Sequence, residues 1–238
     1  MKKIIPWLVQ HNLVFFAILI ALAIFFWLMK FEKKQRITWK DALLVALAHV
    51  ALGWSAMRLL AFIEVGFDFE KSANMRIFGA VFLLPLFYYL WARQTKRDAL
   101  WMSDISAICT VFGCISGRLN CLTSGCCRGM LLFSDGTYRW PIRELELAFY
   151  VLFIAVYSGK IRKRKTHGEV YPIYMIAYGI LRFLCEFVRE EFTTQVGVLH
   201  LAHIWALVSI ATGTVWLCIL KKRQEYSGKH RKTDQKNT

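Results

Sequence analysis

The chain has 238 residues, of which 57% are hydrophobic and only 20% charged, with a mean hydropathy of +0.40. A soluble domain keeps nearer a quarter of its residues charged, so the composition argues against one; the apolar content excludes a disordered chain, and 14 Gly with 4 Pro exclude a collagen-like fibre. Lys and Arg number 31 against 16 Asp and Glu, a formal charge of +15. These basic residues fall in short clusters between long apolar runs, the pattern of membrane-protein loops and not of a nucleic-acid-binding face. An integral membrane protein without a nucleic-acid partner is expected.

No charged residue occurs from Ile4 to Met29, a run long enough to cross the hydrocarbon core as a helix. Lys2 and Lys3 before it, and Ala21-Leu22-Ala23 within it, resemble a secretory signal. The run ends, however, on Lys30, Lys33, Lys34 and Arg36, a basic stop in place of small polar residues, and is read as an uncleaved first helix. The next candidate spans are Asp41–Glu64, interrupted by Arg58, and Ile77–Ala92. Leu100–Gly117, carrying Asp104, and Leu145–Gly159 are short, and each can be a re-entrant or buried core helix. Val170–Val188 carries Arg182 and Glu186, and Val196–Leu220 is free of charge. The expectation is an all-α integral membrane protein of about seven transmembrane helices. Residues 1–220 form a single polytopic membrane domain in this reading, and Lys221–Thr238 a disordered basic tail attracted to anionic lipid.

Loops alternate sides across seven spans. One set comprises Lys30–Lys40, Arg93–Arg97, Lys160–Lys165 and the segment after Leu220; the other comprises the N-terminus, Glu64–Arg76, the 118–143 loop and the turn at Arg189. The first set carries 20 of the 31 basic residues and the second 9. The richer set is expected in the cytoplasm, which puts the N-terminus outside, the C-terminus inside and the 118–143 loop outward. Lys2 and Lys3 oppose this orientation but are outnumbered by the basic residues behind the first span.

An ionisable side chain inside a span is costly and points to function. Tyr174, Tyr178, Arg182, Glu186 and Arg189 are spaced by four, four, four and three, which sets them on one helical face. A buried ion pair joining two helices is the plain reading. Two guanidiniums against Glu186 nevertheless leave positive charge that suits a phosphate, although Glu190 and Glu191 can answer it. A second cluster, Gly113 to Gly129, is rich in small residues and carries Arg118 and Arg128. Arg118 alone reads as an interfacial snorkel; with Arg182 on another span, a convergent anion site is the better reading. In Gly53-Trp54-Ser55-Ala56-Met57-Arg58, Arg58 is equally a ligand-facing or a snorkelling residue. His49 and His203 are intramembrane histidines, each more simply a hydrogen-bonded core residue.

Of the seven cysteines, Cys109, Cys185 and Cys218 read as buried small hydrophobes. Cys121, Cys126 and Cys127 stand within seven residues in the outward loop, where a disulfide of Cys121 with one of the adjacent pair is possible in an oxidising compartment. The spacing C-x4-C-C has no neighbouring His and is not a standard zinc pattern, so no metal ligands are assigned.

These clusters resemble the prolipoprotein diacylglyceryl transferase family. Gly117, Arg118, Gly125 and Gly129 fall on its Gly-Arg-led signature, and Tyr178, Gly179, Arg182, Phe183, Glu186 and Arg189 match its Tyr-Gly-x-x-Arg-Phe-x-x-Glu-x-x-Arg stretch in full. Arg139, Pro141 and Glu146 look like the remains of its Arg-His-Pro-led element, and the Arg58 and Phe78-Gly79 regions look like its earlier helices, so the resemblance runs from about residue 12 to residue 220. The chain departs from the pattern at Phe78 and Trp140, where the family has histidines, at Asn120-Cys121 for Gly-Asn, and at Cys126 for Glu.

The resemblance implies transfer of a diacylglyceryl group from phosphatidylglycerol to the lipobox cysteine thiol of a preprolipoprotein, at the bacterial plasma (inner) membrane and without a cofactor. The implied catalytic residues are Arg118, Arg182 and Glu186, with Glu186 orienting Arg182 or serving as base. Arg118, Arg58, Tyr178, Arg189, Arg139 and Arg143 are the implied substrate-binding residues. The partners are phosphatidylglycerol, the preprolipoprotein signal peptide and membrane lipid. With the usual histidines missing, the base is unassigned. The alternative is a family member without transferase activity, a phospholipid-binding, thiol-redox or metal-handling protein acting through Cys121, Cys126 and Cys127.

Overall fold

The computed structural model describes residues 18–23, 25, 38–68, 76–133, 138–163, 165–166, 168–190, 195–196 and 199–234. Most of the expected first span and its basic stop at Lys30–Arg36 lie outside the described residues. Residues 18–23 of that span are helical, with Leu22 buried in the core.

Helix α1, Trp39–Glu64, starts at a capping box: the Asp41 N–H donates to the Thr38 hydroxyl and the Thr38 N–H to the Asp41 carboxylate, both at 3.1 Å. Two otherwise orphaned amide donors are thereby satisfied. Helix α2, Ile77–Gln94, carries Pro85 in its interior, which packed neighbours tolerate in a membrane bundle. Helix α3, Ala99–Ser124, is capped by the Asp98 side chain on the Leu100 and Trp101 amides. It stops where Gly125 takes φ +74° and returns its N–H to the Cys121 carbonyl, a left-handed turn that glycine makes without strain. Helix α4 is Ile142–Arg162, α5 is Val170–Glu186 and α6 is Leu201–Asp234. Strands β1, Gln195–Val196, and β2, Leu199–His200, pair antiparallel just before α6.

Among the described residues, four helical stretches are long and apolar enough to cross a membrane: Trp39–Glu64, Ile77–Gln94, Ala99–Ser124 and Leu201–Tyr226. Large apolar side chains face outward, Leu44 at 63% and Leu152 at 64% exposure, while Asp104, Glu146 and Glu186 are fully buried. This inversion of the soluble pattern suits a bundle solvated by lipid. The buried Asp104 carboxylate accepts from the Gly168 and Val170 amides at 2.9 and 2.8 Å, so a polar group on α3 anchors the start of α5. Helix α5 packs on α6 and α3, and α3 packs in turn on α2 and α4. Its Gly179 is needed for close approach to α6: a Cβ there would stand 2.7 Å from Ile210 Cγ1 and 2.9 Å from the Ala206 carbonyl.

Four boundaries differ from the sequence expectation. Helix α3 runs seven residues past Gly117 to Ser124, so Arg118, Asn120 and Cys121 lie on a helix and not in a loop; the stop signal is Gly125, not the Arg118 charge. The last helix begins at Leu201 and not at Val196, because Val196 is paired opposite Leu199 in the two-stranded ladder. Helix α5 ends at Glu186, and Arg189 instead forms a bridge with Gly129. Helix α6 continues beyond Leu220 to Asp234, through most of the segment expected as a disordered tail.

Candidate functional site

Five charged groups from three helices and one loop meet inside the bundle. Glu146 on α4 is fully buried and receives the Arg118 guanidinium of α3 on one carboxylate oxygen. Arg182 of α5 reaches its other oxygen at 3.3 Å. Arg182 also pairs with Glu186 one turn along α5 at 2.8 Å, and Glu186 faces Arg189 at 3.7 Å. Positive and negative groups therefore alternate from Arg118 through Glu146, Arg182 and Glu186 to Arg189. Removing such groups from water is costly, and each needs partners to remain charged. Three guanidiniums against two carboxylates leave one positive charge in excess.

This row borders a cavity of about 880 Å³ whose wall includes Arg118, Tyr178, Arg182 and Arg189 together with His49 and Phe78. The volume is that of a site for a sizeable ligand. The Tyr178 hydroxyl is buried and has no hydrogen-bond partner among the described residues. A hydroxyl left so at a cavity wall is a donor available to a ligand.

Cysteine sulfurs stand at the same wall. Arg189 Nη2 donates to Cys127 Sγ at 2.8 Å, and the Cys121 thiol donates to the same sulfur at 3.7 Å. Cys127 lies in the loop beyond α3. The Cys121 hydrogen bond, with the Arg189 and Arg118 charges acting against the cost of burial, holds the Cys127 thiol below the usual cysteine range.

The model of the prolipoprotein diacylglyceryl transferase family matches residues 7–219. The chain belongs to this family. Among curated relatives, it is 26% identical to a phosphatidylglycerol–prolipoprotein diacylglyceryl transferase of Clostridium tetani, over 58% of this chain and 60% of the relative. It is 21% identical to the enzyme of that name from Dehalococcoides mccartyi, over 67% of this chain and 66% of the relative, and 30% identical to that of Campylobacter curvus, over 52% and 48%. The chain thus spans about half to two thirds of the length of these relatives.

Of the residues that the family resemblance singled out, the fold brings Arg118, Arg182, Glu186, Arg189 and Tyr178 together, with Cys121 and Cys127 beside them. It does not bring Arg58, Arg139 or Arg143 to the cavity wall. Arg58 lies over the Trp54 ring at 5.4 Å, Arg139 pairs with Glu190 at 2.5 Å, and Arg143 donates to the Cys121 carbonyl at 3.3 Å. His49 does line the cavity, through a ring hydrogen-bonded to the Tyr88 hydroxyl at 3.1 Å, whereas His203 accepts from the His200 amide and packs on Phe183 and Phe187. Three residues that carry no role in the sequence reading also take part. Glu146 is the hub of the row, and its signal was present: it is the only charged residue between Leu145 and Gly159. Glu64 and Arg76, paired at 2.5 Å, also line the cavity; they come from opposite ends of a loop and share no local pattern.

Proposed function

We propose that this chain transfers a diacylglyceryl group from phosphatidylglycerol to the lipobox cysteine thiol of a preprolipoprotein. The observation that carries the reading is the convergence of Arg118 and Arg182, from separate helices, on one buried carboxylate beside a large cavity. The names of the curated relatives support the same chemistry.

In this account the lipid phosphate sits against Arg118, Arg182 and Arg189, whose excess positive charge stabilises the charge that develops on the leaving group. The acceptor sulfur attacks the terminal glyceryl carbon. The C–O bond next to the phosphate breaks, and glycerol phosphate leaves with the electron pair. Glu146 and Glu186 hold the guanidiniums in place before the substrate arrives, so little reorganisation is needed at the reacting centre. Tyr178 offers its hydroxyl to an oxygen of the lipid. With Arg182 and Arg189 both on Glu186, orientation of these arginines is the better role for that carboxylate than proton abstraction.

The protein is proposed to sit in the bacterial inner membrane as one polytopic domain of seven spans, residues 1–220, with the N-terminus outside. The loop charges support the orientation. Helices α4 and α5, at 21 and 17 residues, reach roughly 26–32 Å at 1.5 Å per residue, which suits crossing despite their charges.

A transfer assay in detergent micelles tests the proposal. Purified protein is mixed with phosphatidylglycerol and a lipobox peptide, and the peptide mass is read. A diacylglyceryl mass gain that disappears in Arg118→Ala and Arg182→Ala is expected. An unmodified peptide, with folded protein that retains the lipid, contradicts the transferase reading.

A further inference from the structure

The proposed reaction requires a thiolate at the acceptor, and the arginine row supplies no base to make one. The thiol itself is a poor nucleophile. Three further sulfurs stand beside the row. Cys121, on the last turn of α3, and Cys126 and Cys127, just past the Gly125 turn, have Sγ atoms all within 4.8 Å of one another. We propose that these three cysteines bind a zinc-class divalent cation whose fourth position, open to the cavity, takes the sulfur of the acceptor cysteine. This rests on the transferase reading for the identity of the fourth ligand.

Geometry is the first argument. A tetrahedral cation with metal–sulfur bonds of about 2.3 Å has sulfurs about 3.8 Å apart. Cys121 and Cys127 are already at 3.7 Å, and Cys126 needs to move by no more than about 1 Å to complete the triangle. Cys127 takes φ +57°, a conformation uncommon for a residue with a Cβ. An irregular backbone at this point fits a loop shaped by what its side chains hold.

Ligand chemistry is the second. A trio of sulfurs selects a thiophilic cation over magnesium or calcium. The set also has outer partners of the kind that orient metal ligands: Arg189 donates to Cys127 Sγ at 2.8 Å and the Ser124 hydroxyl to Cys126 Sγ at 3.3 Å. Three thiolates around a divalent cation carry one net negative charge, and Arg189 stands beside them through its contact with Cys127.

The third is the open side. Cys121 and Cys127 line the same cavity as Arg118 and Arg182. Three protein ligands with a free position characterise a working metal site and not a closed structural one. A thiol that binds there gives its proton to water at the cavity mouth and is held as thiolate. Its sulfur then forms the new S–C bond to the glyceryl carbon. The lipid C–O bond breaks, glycerol phosphate departs with the electron pair, and the resulting thioether, a weaker ligand, leaves the cation.

The test uses purified full-length protein in detergent, stripped with a chelator, kept reduced, and titrated with Co2+ without lipid. The expected result is equimolar binding with a thiolate-to-cobalt charge-transfer band, displaced by Zn2+ and intensified by a lipobox peptide but not by its Cys→Ser form. The band should be lost in Cys121→Ser, Cys126→Ser and Cys127→Ser variants whose helical circular dichroism matches the parent. Zinc content of the untreated protein, measured by mass spectrometry, is a second readout that needs no variant. Folded protein that binds no Co2+, or a band that survives the triple serine variant, overturns the proposal. The two readings fail separately. Unchanged transfer by stripped protein rejects the metal's role and leaves the transferase; a peptide-responsive cobalt site without transfer keeps the site and rejects the transferase.

Discussion

Arg182 and Glu146, thirty-six residues apart in sequence, meet at 3.3 Å in the interior of the bundle, and Arg118 closes on the same carboxylate from a third helix. Glu146 is thus the only carboxylate among the described residues that is ion-paired to both Arg118 and Arg182. Replacing it by Gln leaves two buried guanidiniums short of counter-charge. Breaking a buried pair from one side costs about 3–5 kcal/mol. Glu146→Gln should therefore lower the unfolding midpoint in detergent sharply. Glu190→Gln, which disrupts the exposed pair with Arg139, should cost at most about 1 kcal/mol. Equal midpoints for the two variants would contradict the hub role.

Catalysis should separate the arginines by position. Arg118→Ala and Arg182→Ala each remove a donor aimed at the developing charge and should lower kcat by about 10²–10³. Lys at either place should rescue little, because the forked geometry is lost. Arg58→Ala, Arg139→Ala and Arg143→Ala act away from the cavity wall and should change kcat/KM by only a few-fold. Initial rates on the micelle assay decide this, and a loss at Arg139 as deep as that at Arg182 would sink the assignment.

The difference between these groups marks what the sequence could and could not reveal. Helices α1 and α2 were legible because each is an apolar run bounded by charge or turn residues, and burial of such a run dictates a helix. The Tyr174-to-Glu186 face was legible because its spacing repeats within one helix. Glu146 was not assigned a role, since its partners lie on α3 and α5 and no local periodicity encodes the register between helices. Arg58, Arg139 and Arg143 are substrate-binding only as the family resemblance and their charge imply, and neither says whether a side chain turns to a cavity, to Trp54 or to a neighbouring carboxylate. Charge alone ends α3 at Gly117, before Arg118, whereas the backbone stops only where Gly125 can turn it.

Packing of α5 on α6 gives a stability prediction independent of chemistry. Gly179→Ala puts a methyl group 2.9 Å from the Ala206 carbonyl oxygen, and overpacking of this kind costs about 1–3 kcal/mol. Gly159→Ala on α4 meets nothing within 4 Å and should be neutral or stabilising by up to about 1 kcal/mol. Thermal unfolding monitored by helical circular dichroism should order the variants with Gly179→Ala least stable; the reverse order would contradict the α5–α6 contact.

Orientation is tested by fusing reporters after Thr238. In the proposed topology this end is cytoplasmic, so a fused alkaline phosphatase should be inactive and a fused green fluorescent protein bright. A bright phosphatase signal would invert the proposed topology and place the Cys121–Cys127 loop on the wrong side for a secreted acceptor.

The central claim is that one C–O bond of phosphatidylglycerol is exchanged for one S–C bond at the acceptor. Double labelling reads this directly, with one isotope in the acyl chains and another in the glycerol head group. The account predicts acyl label on the lipobox peptide and head-group label released as glycerol phosphate in equal amounts, both abolished by Arg182→Ala. Acyl label that reaches the peptide without release of glycerol phosphate, or head-group release without labelled peptide, would contradict it.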